Sequence, residues 1–115
     1  TGIAWPSNVV EVKAEGRQGS HSAPYPRALV EFFVKAFSDP GDAVFDPFLG
    51  SGTTVAAAHV LGRTGFGVEI SPAYCDVALR RIRELAGVEP VLVATGQSFT
   101  EVEAERTSDE TRRAA

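Results

Sequence analysis

At 115 residues with 43% hydrophobic content, the chain makes one small domain at most, near the size where burial of a core is marginal. A net charge of −4 argues against a nucleic-acid footprint carried by this chain itself, because neutralising phosphates calls for clustered Lys and Arg. No apolar run approaches membrane-spanning length and no charged-then-apolar leader pattern is present, so the chain reads as soluble, cytoplasmic and free of membrane contact.

The opening, Trp5 to Val12, has apolar residues without helical period and reads as an extended strand or the tail of something upstream. Residues 13–20 are polar and Gly-containing, a loop. His21-Ser22-Ala23-Pro24-Tyr25-Pro26 follows. Its prolines stiffen the approach to a helix over 26–37, on which Arg27, Glu31 and Lys35 form one narrow polar face. The rest of that helix is apolar, which predicts cover by a sheet. Taken alone, His21 is a loop histidine satisfied by backbone groups.

Asp39-Pro40-Gly41-Asp42 has the chemistry of a turn. A short strand over 43–46 comes next and ends in Asp46. The stretch Asp46-Pro47-Phe48-Leu49-Gly50-Ser51-Gly52-Thr53-Thr54 then leads into Val55 and three alanines, which predicts a strand, a tight loop and a helix over 52–61. In an open α/β sheet such a loop lies at the carboxyl end of its strand, where ligands bind. Gly50 and Gly52 lack Cβ atoms and let a ligand approach closely. Asp46 is placed to accept hydrogen bonds from a ligand ammonium or from loop amides. Gly62 closes the helix, and His59 within it is surface or packing.

A second strand over 66–70 carries another carboxylate, Glu69, 23 positions after Asp46 (69 minus 46). Parallel neighbours would bring the two acids to one edge, near the spacing of about 20 residues found between loop and ribose-binding acid in dinucleotide folds. Ser71-Pro72 is a helix start, and the helix over 72–86 turns Tyr74, Val77, Ala78, Ile82 and Leu85 to one side. Cys75, the sole cysteine, forms no internal disulfide and reads as packing on that face. Arg80, Arg81, Arg83 and Glu84 read as a solvated, ion-paired face. Val91 to Ala94 is read as a third strand. Ser98 and Glu101 have the spacing of a capping box, and the charged remainder to Ala115 reads as a frayed helix or a disordered tail.

The string Asp46 to Thr54 resembles the cofactor loop of the S-adenosylmethionine-dependent DNA methyltransferases that act on exocyclic amines of adenine or cytosine. The segment from His21 to Pro26 is similar to that family's His-x-Ala-x-aromatic-Pro segment, which precedes the loop. The resemblance covers about residues 21–86 and implies a partial Rossmann-like α/β fold, a parallel sheet flanked by helices. It also implies S-adenosylmethionine as cofactor and no metal. By that resemblance, Gly50, Ser51, Gly52, Thr53 and Thr54 cradle the methionine part, Asp46 takes its ammonium, and Pro47 and Phe48 shape the wall. Glu69, with Ile70 and Ser71 beside it, receives the ribose, and His21, Ser22, Ala23 and Pro24 lie near the methionine end.

The family also has a separate catalytic loop of Asp, Asn or Ser followed by Pro-Pro and an aromatic, which engages a flipped base. Seven prolines without a Pro-Pro pair leave that loop out of this chain, so no catalytic residue is assigned. In the family's permuted class the cofactor segments come last, and the sequence looks like the C-terminal, cofactor-binding half of such an enzyme. The resemblance implies a bacterial or phage restriction-modification setting, with double-stranded DNA reached through the missing part. An open sheet edge would pair with a second chain or with itself. The expected organisation is a lead-in over 1–20, the cofactor domain over 21–97 and the charged tail over 98–115. The alternative is a catalytically inactive binding or regulatory fragment. A nicotinamide or flavin dehydrogenase would need a third Gly where Thr54 or Val55 stands, and a structural dimerisation piece would bind no ligand.

Overall fold

The computed structural model describes residues 9–13 and 25–115. Its elements are α1 (Arg27–Phe37), β1 (Ala43–Asp46), α2 (Thr53–Val60), β2 (Thr64–Gly67), α3 (Pro72–Ala86) and α4 (Phe99–Ala114). The strands pair in parallel, with Ala43 opposite Thr64 and Asp46 opposite Gly67. This is one β-α-β unit, with α2 as the crossover that parallel strands require.

The alanines of α2 explain how closely the unit packs. Ala56, Ala57 and Ala58 are fully buried, and without long side chains the helix backbone lies near the strands. The strand answers with its own small residue. A Cβ added to Gly65 would stand 2.9 Å from the Cα of Val55, so β2 can approach α2 only with glycine there. At the N-cap of α2, a Cβ on Gly52 would stand 2.9 Å from the Cβ of Ala78, so α3 leans on the helix start in the same way. The core is therefore made of small residues, Val34, the three alanines, Ala78 and Thr53, with Phe99 packed separately under α4.

Since side chains alternate along a strand, Phe45 and its register partner Phe66 share one face of the sheet. That face is bare, with Phe45 62% and Phe66 54% exposed.

Several expectations change. The helix over 27–37 packs on α2 rather than under a sheet, with Val34 its buried residue, and its Phe33 and Phe37 rings stack on each other at the surface. The second strand is Thr64–Gly67 and ends before Glu69. Its pairing is prolonged by two backbone bonds, Val68 N to Asp46 O and Leu49 N to Val68 O, each 3.0 Å, where the chain is already leaving the sheet. Residues 91–94 form no third strand. Val91 makes a lone antiparallel bridge with Ser98, and the chain between them folds back on a turn that Gly96 closes at φ +77°. That turn bonds Val91's neighbour Leu92 to Gln97, so the short run is satisfied locally and never reaches β2.

Of the two readings of the charged tail, the structure has the helix, α4, which runs to Ala114. Ser98 and Glu101 form both bonds of a capping box, which satisfies amides that otherwise fray a helix start. Glu89 adds a 2.8 Å bond from the amide of Thr100. Phe99 sits beneath the guanidinium groups of Arg80 and Arg83, at 5.6 and 5.3 Å. The ion pair Arg80–Glu103 at 2.7 Å then ties α4 to α3.

Candidate functional site

β1 and β2 run side by side in the same direction, so both chains leave the sheet at one edge. Asp46 is the last residue of β1, and Glu69 lies two positions beyond the end of β2. The loop from Pro47 to Gly52 arches between them.

Asp46 organises this loop from below. Its Oδ1 accepts the amide of Phe48 at 2.9 Å, and its Oδ2 accepts the hydroxyl of Thr54 at 2.5 Å. The first bond is a turn in which the carboxylate stands in for a backbone acceptor. The second reaches into the first turn of α2 and joins the two ends of the loop. Of the two partners expected for Asp46, a ligand ammonium or loop amides, the loop occupies it here.

Glu69 does the same work from the side. Its Oε2 accepts the amide of Gly50 at 2.8 Å and its Oε1 that of Ser71 at 2.8 Å, so one carboxylate bridges the glycine loop and the start of α3. These two amides, Ser71 first, hold the Glu69 carboxyl below its ordinary value, against an opposing desolvation. Each carboxylate oxygen retains a further acceptor site, so ligand hydroxyls can join the existing bonds. Ser71 is the N-cap residue of α3 with Pro72 at the first helical position, but it is the Ser71 amide that is engaged, and its hydroxyl makes no cap bond.

The glycines meet their predicted need. Gly50 has φ +58° and Gly52 φ +85°, both in the left-handed region. Two apolar side chains adjoin these carboxylates in the chain and are exposed, Phe48 at 88% and Ile70 at 97%. The site thus offers two anchored carboxylates, loop amides and two apolar surfaces. That chemistry suits a ligand combining a polar amino-acid end, vicinal hydroxyls and a flat ring.

Asp46, Pro47, Phe48, Gly50, Ser51, Gly52, Thr53, Thr54, Glu69, Ile70 and Ser71 are therefore brought to one edge of the sheet. His21, Ser22, Ala23 and Pro24 lie outside the described residues. No cluster of His, Cys, Asp and Glu able to hold a metal occurs among the described residues, and no described helix is long and apolar enough to cross a membrane. Cys75 is half-buried, with its thiol donating to the carbonyl of Glu69 at 3.6 Å.

Sequence reasoning missed Arg81. Arg80 and Arg83 make the expected ion pairs, with Glu103 and Glu89. Arg81 instead turns inward, and its Nη1 donates to the hydroxyl of Thr53 at 2.9 Å. The spacing held the signal, since Arg81 stands three positions after Ala78 on the same helix face. A cavity of about 330 Å³ lies elsewhere, between α3 and α4, lined by Leu79, Val91, Leu92 and Val102 among others and by none of the loop residues.

Residues 2–80 match the family model described as DNA methylase. The orphan methyltransferase M.BamHII of Bacillus amyloliquefaciens is 46% identical over 63 residues, which are 55% of this chain and 24% of that protein. The type II methyltransferase M.HinfI of Haemophilus influenzae is 42% identical over 74 residues, 64% of this chain and 21% of that one. The chain thus spans less than a quarter of the length of these relatives. Among solved structures, a candidate DNA modification methylase from Thermus thermophilus, complexed with S-adenosyl-L-methionine, superposes with a TM-score of 0.54 at 46% identity, over 59% of this chain and 28% of that one. The PvuII cytosine-N4-specific DNA methyltransferase gives 0.58 at 28% identity, over 64% and 30%. The parallel pair and its helices are part of this Rossmann-like methyltransferase fold.

Proposed function

The chain belongs to the N6/N4 DNA methylase family, and on that premise we propose that it is the S-adenosylmethionine-binding part of an enzyme that methylates an exocyclic amine of adenine or cytosine in DNA. The observation that carries the proposal is the pair of anchored carboxylates, Asp46 and Glu69, at one edge of a parallel strand pair with the Gly50–Gly52 loop between them.

The bound cofactor would supply an electrophilic methyl on a sulfonium. This chain's part is to hold that methyl in place, because positioning contributes much of such a transfer. In this reading Gly50 to Thr54 cradle the methionine portion, with Gly50 and Gly52 adding no side chains of their own between ligand and backbone. Asp46 receives the ammonium on lone pairs not used by Phe48 and Thr54. Glu69 receives the ribose hydroxyls, with its two amide bonds fixing the carboxylate plane. Phe48 and Ile70 cover the ring. His21, Ser22, Ala23 and Pro24 close the methionine end.

The catalytic loop has no counterpart in this chain, whose seven prolines include no adjacent pair. The chain alone therefore binds cofactor without transferring methyl, and double-stranded DNA is met by the rest of the enzyme. The bare Phe45 and Phe66 face and the open edges of the sheet support contact with that remainder, or with a second chain. In this organisation residues 21–97 form the cofactor domain and 98–115 a helical appendage, in a cytoplasmic DNA-modifying protein.

Photocrosslinking with S-adenosylmethionine labelled in its methyl group tests the reading. The expected outcome is labelling within residues 46–71 that S-adenosylhomocysteine suppresses and a nicotinamide dinucleotide does not. Labelling that both compounds suppress equally, or none in a folded sample, contradicts it.

A further inference from the structure

We propose that Arg81 is the positioning residue of the glycine loop and that it serves the amino-acid end of the cofactor, an inference that rests on the cofactor-binding reading above. Three observations carry it.

The first is where the guanidinium goes. Arg81 Nη1 donates to Thr53 Oγ1 at 2.9 Å and stands 3.5 Å from Ser51 Oγ, while the two hydroxyls are 3.5 Å from each other. Ser51 and Thr53 flank Gly52, whose φ of +85° leaves that point of the backbone without the usual steric limits. One cation thus spans the loop across its most permissive residue. Fixing a residue's backbone costs conformational entropy, and a loop ordered before the ligand arrives spares binding that cost.

The second is how the guanidinium is held. Arg81 follows Ala78 by one helical turn, and Ala78, 5% exposed, is the residue on which Gly52 packs. Thr53, 7% exposed, is the buried polar side chain among the described residues. The bond between Arg81 and Thr53 is therefore sheltered from water on the Thr53 side, where a charge-assisted bond counts for more than at the surface.

The third is charge. Arg80 and Arg83 on the same helix each find a carboxylate, but among the described residues Arg81 has none within ion-pair distance. It stands instead at the N-terminal turn of α2, where the helix dipole is already positive and a cation is disfavoured. An anion at the loop would relieve both. The carboxylate of the amino-acid end is such an anion, whereas the nucleoside end offers hydroxyls and a neutral ring. Glu69, which meets the loop at a different residue, Gly50, belongs to the nucleoside end. Arg81 and Glu69 thus divide the loop between the two ends of one ligand.

This division makes a test that fold damage does not imitate. S-Adenosylmethionine and 5′-methylthioadenosine share the nucleoside, and only the first carries the amino-acid end. Both are titrated calorimetrically into the 115-residue chain and into Arg81→Gln, Arg81→Lys and Thr53→Val. Arg81→Gln is expected to weaken S-adenosylmethionine about tenfold or more, the scale of a lost hydrogen bond to a charged group. It leaves 5′-methylthioadenosine within about twofold. Arg81→Lys recovers part of the loss by keeping the charge, and Thr53→Val reproduces it by removing the hydroxyl. Unchanged affinity for S-adenosylmethionine in Arg81→Gln overturns the proposal. Equal weakening of both ligands also overturns it, since that is the mark of a merely structural residue. Should Arg81→Gln fail to fold, the Lys and Val variants decide by the same ratio. A folded wild-type chain that binds neither compound refutes the cofactor reading, and this inference with it.

Discussion

The loop between β1 and α2 and the segment that carries α4 are held by different kinds of contact. The loop is built from the main chain outwards: two carboxylates accept three amides and one hydroxyl, and Gly52 occupies the point where the backbone meets Ala78. α4 is attached from outside, by Phe99 under two arginines, by ion pairs at the surface and by its capping box. The first arrangement holds the loop's own main-chain atoms by directional hydrogen bonds. The second fixes only which side of α3 the helix lies on. Precision of that first kind is what a small-molecule site needs, and it lies within the part of the chain that the family model matches. That match ends at residue 80, before α4 begins.

The contrast can be broken at its weakest claim, that α4 is separable from the loop. Phe99→Ala removes the one large side chain packed under α4, a truncation worth about 3 kcal/mol at a buried aromatic. Circular dichroism should record loss of helix. Cofactor affinity should change by less than about twofold, because no α4 residue bonds to the loop. A parallel loss of affinity would mean that α4 supports the site.

Gly52→Ala makes the opposite case. The added Cβ meets Ala78 at 2.9 Å, and the φ of +85° is strained for any side chain, so about 2 kcal/mol of stability should be lost in urea unfolding. Here cofactor binding should fall with stability. Gly67→Ala sharpens the point. Its Cβ would meet the Leu49 methyl at 2.6 Å, but that is a side-chain end that can turn aside, and a cost of about 1 kcal/mol is expected.

Ser98→Ala removes the capping bonds of α4 and should cost about 1 kcal/mol, seen as fraying by amide hydrogen exchange confined to the first turns of that helix. The smallest effect is expected from pH. Glu69 against the loop, Glu89 beside α4 and Glu101 in its first turn are all held below their ordinary carboxyl values, chiefly by hydrogen bonds from Ser71, Thr100 and Ser98 respectively. A carboxyl depressed in the folded state stabilises it above the unfolded value and loses that contribution as pH falls through the folded one. Both regions should therefore be insensitive between about pH 6 and 8 and loosen together below about pH 4. Thermal melts across that range check the sign.

The same contrast explains what the sequence disclosed. The run from Asp46 to Thr54 carries its geometry in adjacent residues, so strand, loop and helix were legible to within a residue at each end of α2. The start of α3 at Pro72 and the capping box at Ser98 were legible for the same reason. What depended on distant partners was not. Arg81 looks like its neighbours until α3 is laid against Gly52. Residues 91–94 have strand composition but no strand to pair with, and a local turn takes their hydrogen bonds. The charged residues after Val102 left a helix and a disordered tail both open because their partners, Arg80 and Asp76, lie on another helix. That Glu69 binds both Gly50 and Ser71 could not be read from its position, which gave only the edge of the sheet it would reach.

The central claim is that the loop and the two carboxylates form a pocket for S-adenosylmethionine. Calorimetric titration of that compound into the purified chain, with Glu69→Ala alongside, tests it most directly. Stoichiometric binding to the wild-type chain, lost or strongly weakened in Glu69→Ala while the variant stays folded, is the predicted result. Equal affinity in the two proteins would contradict it.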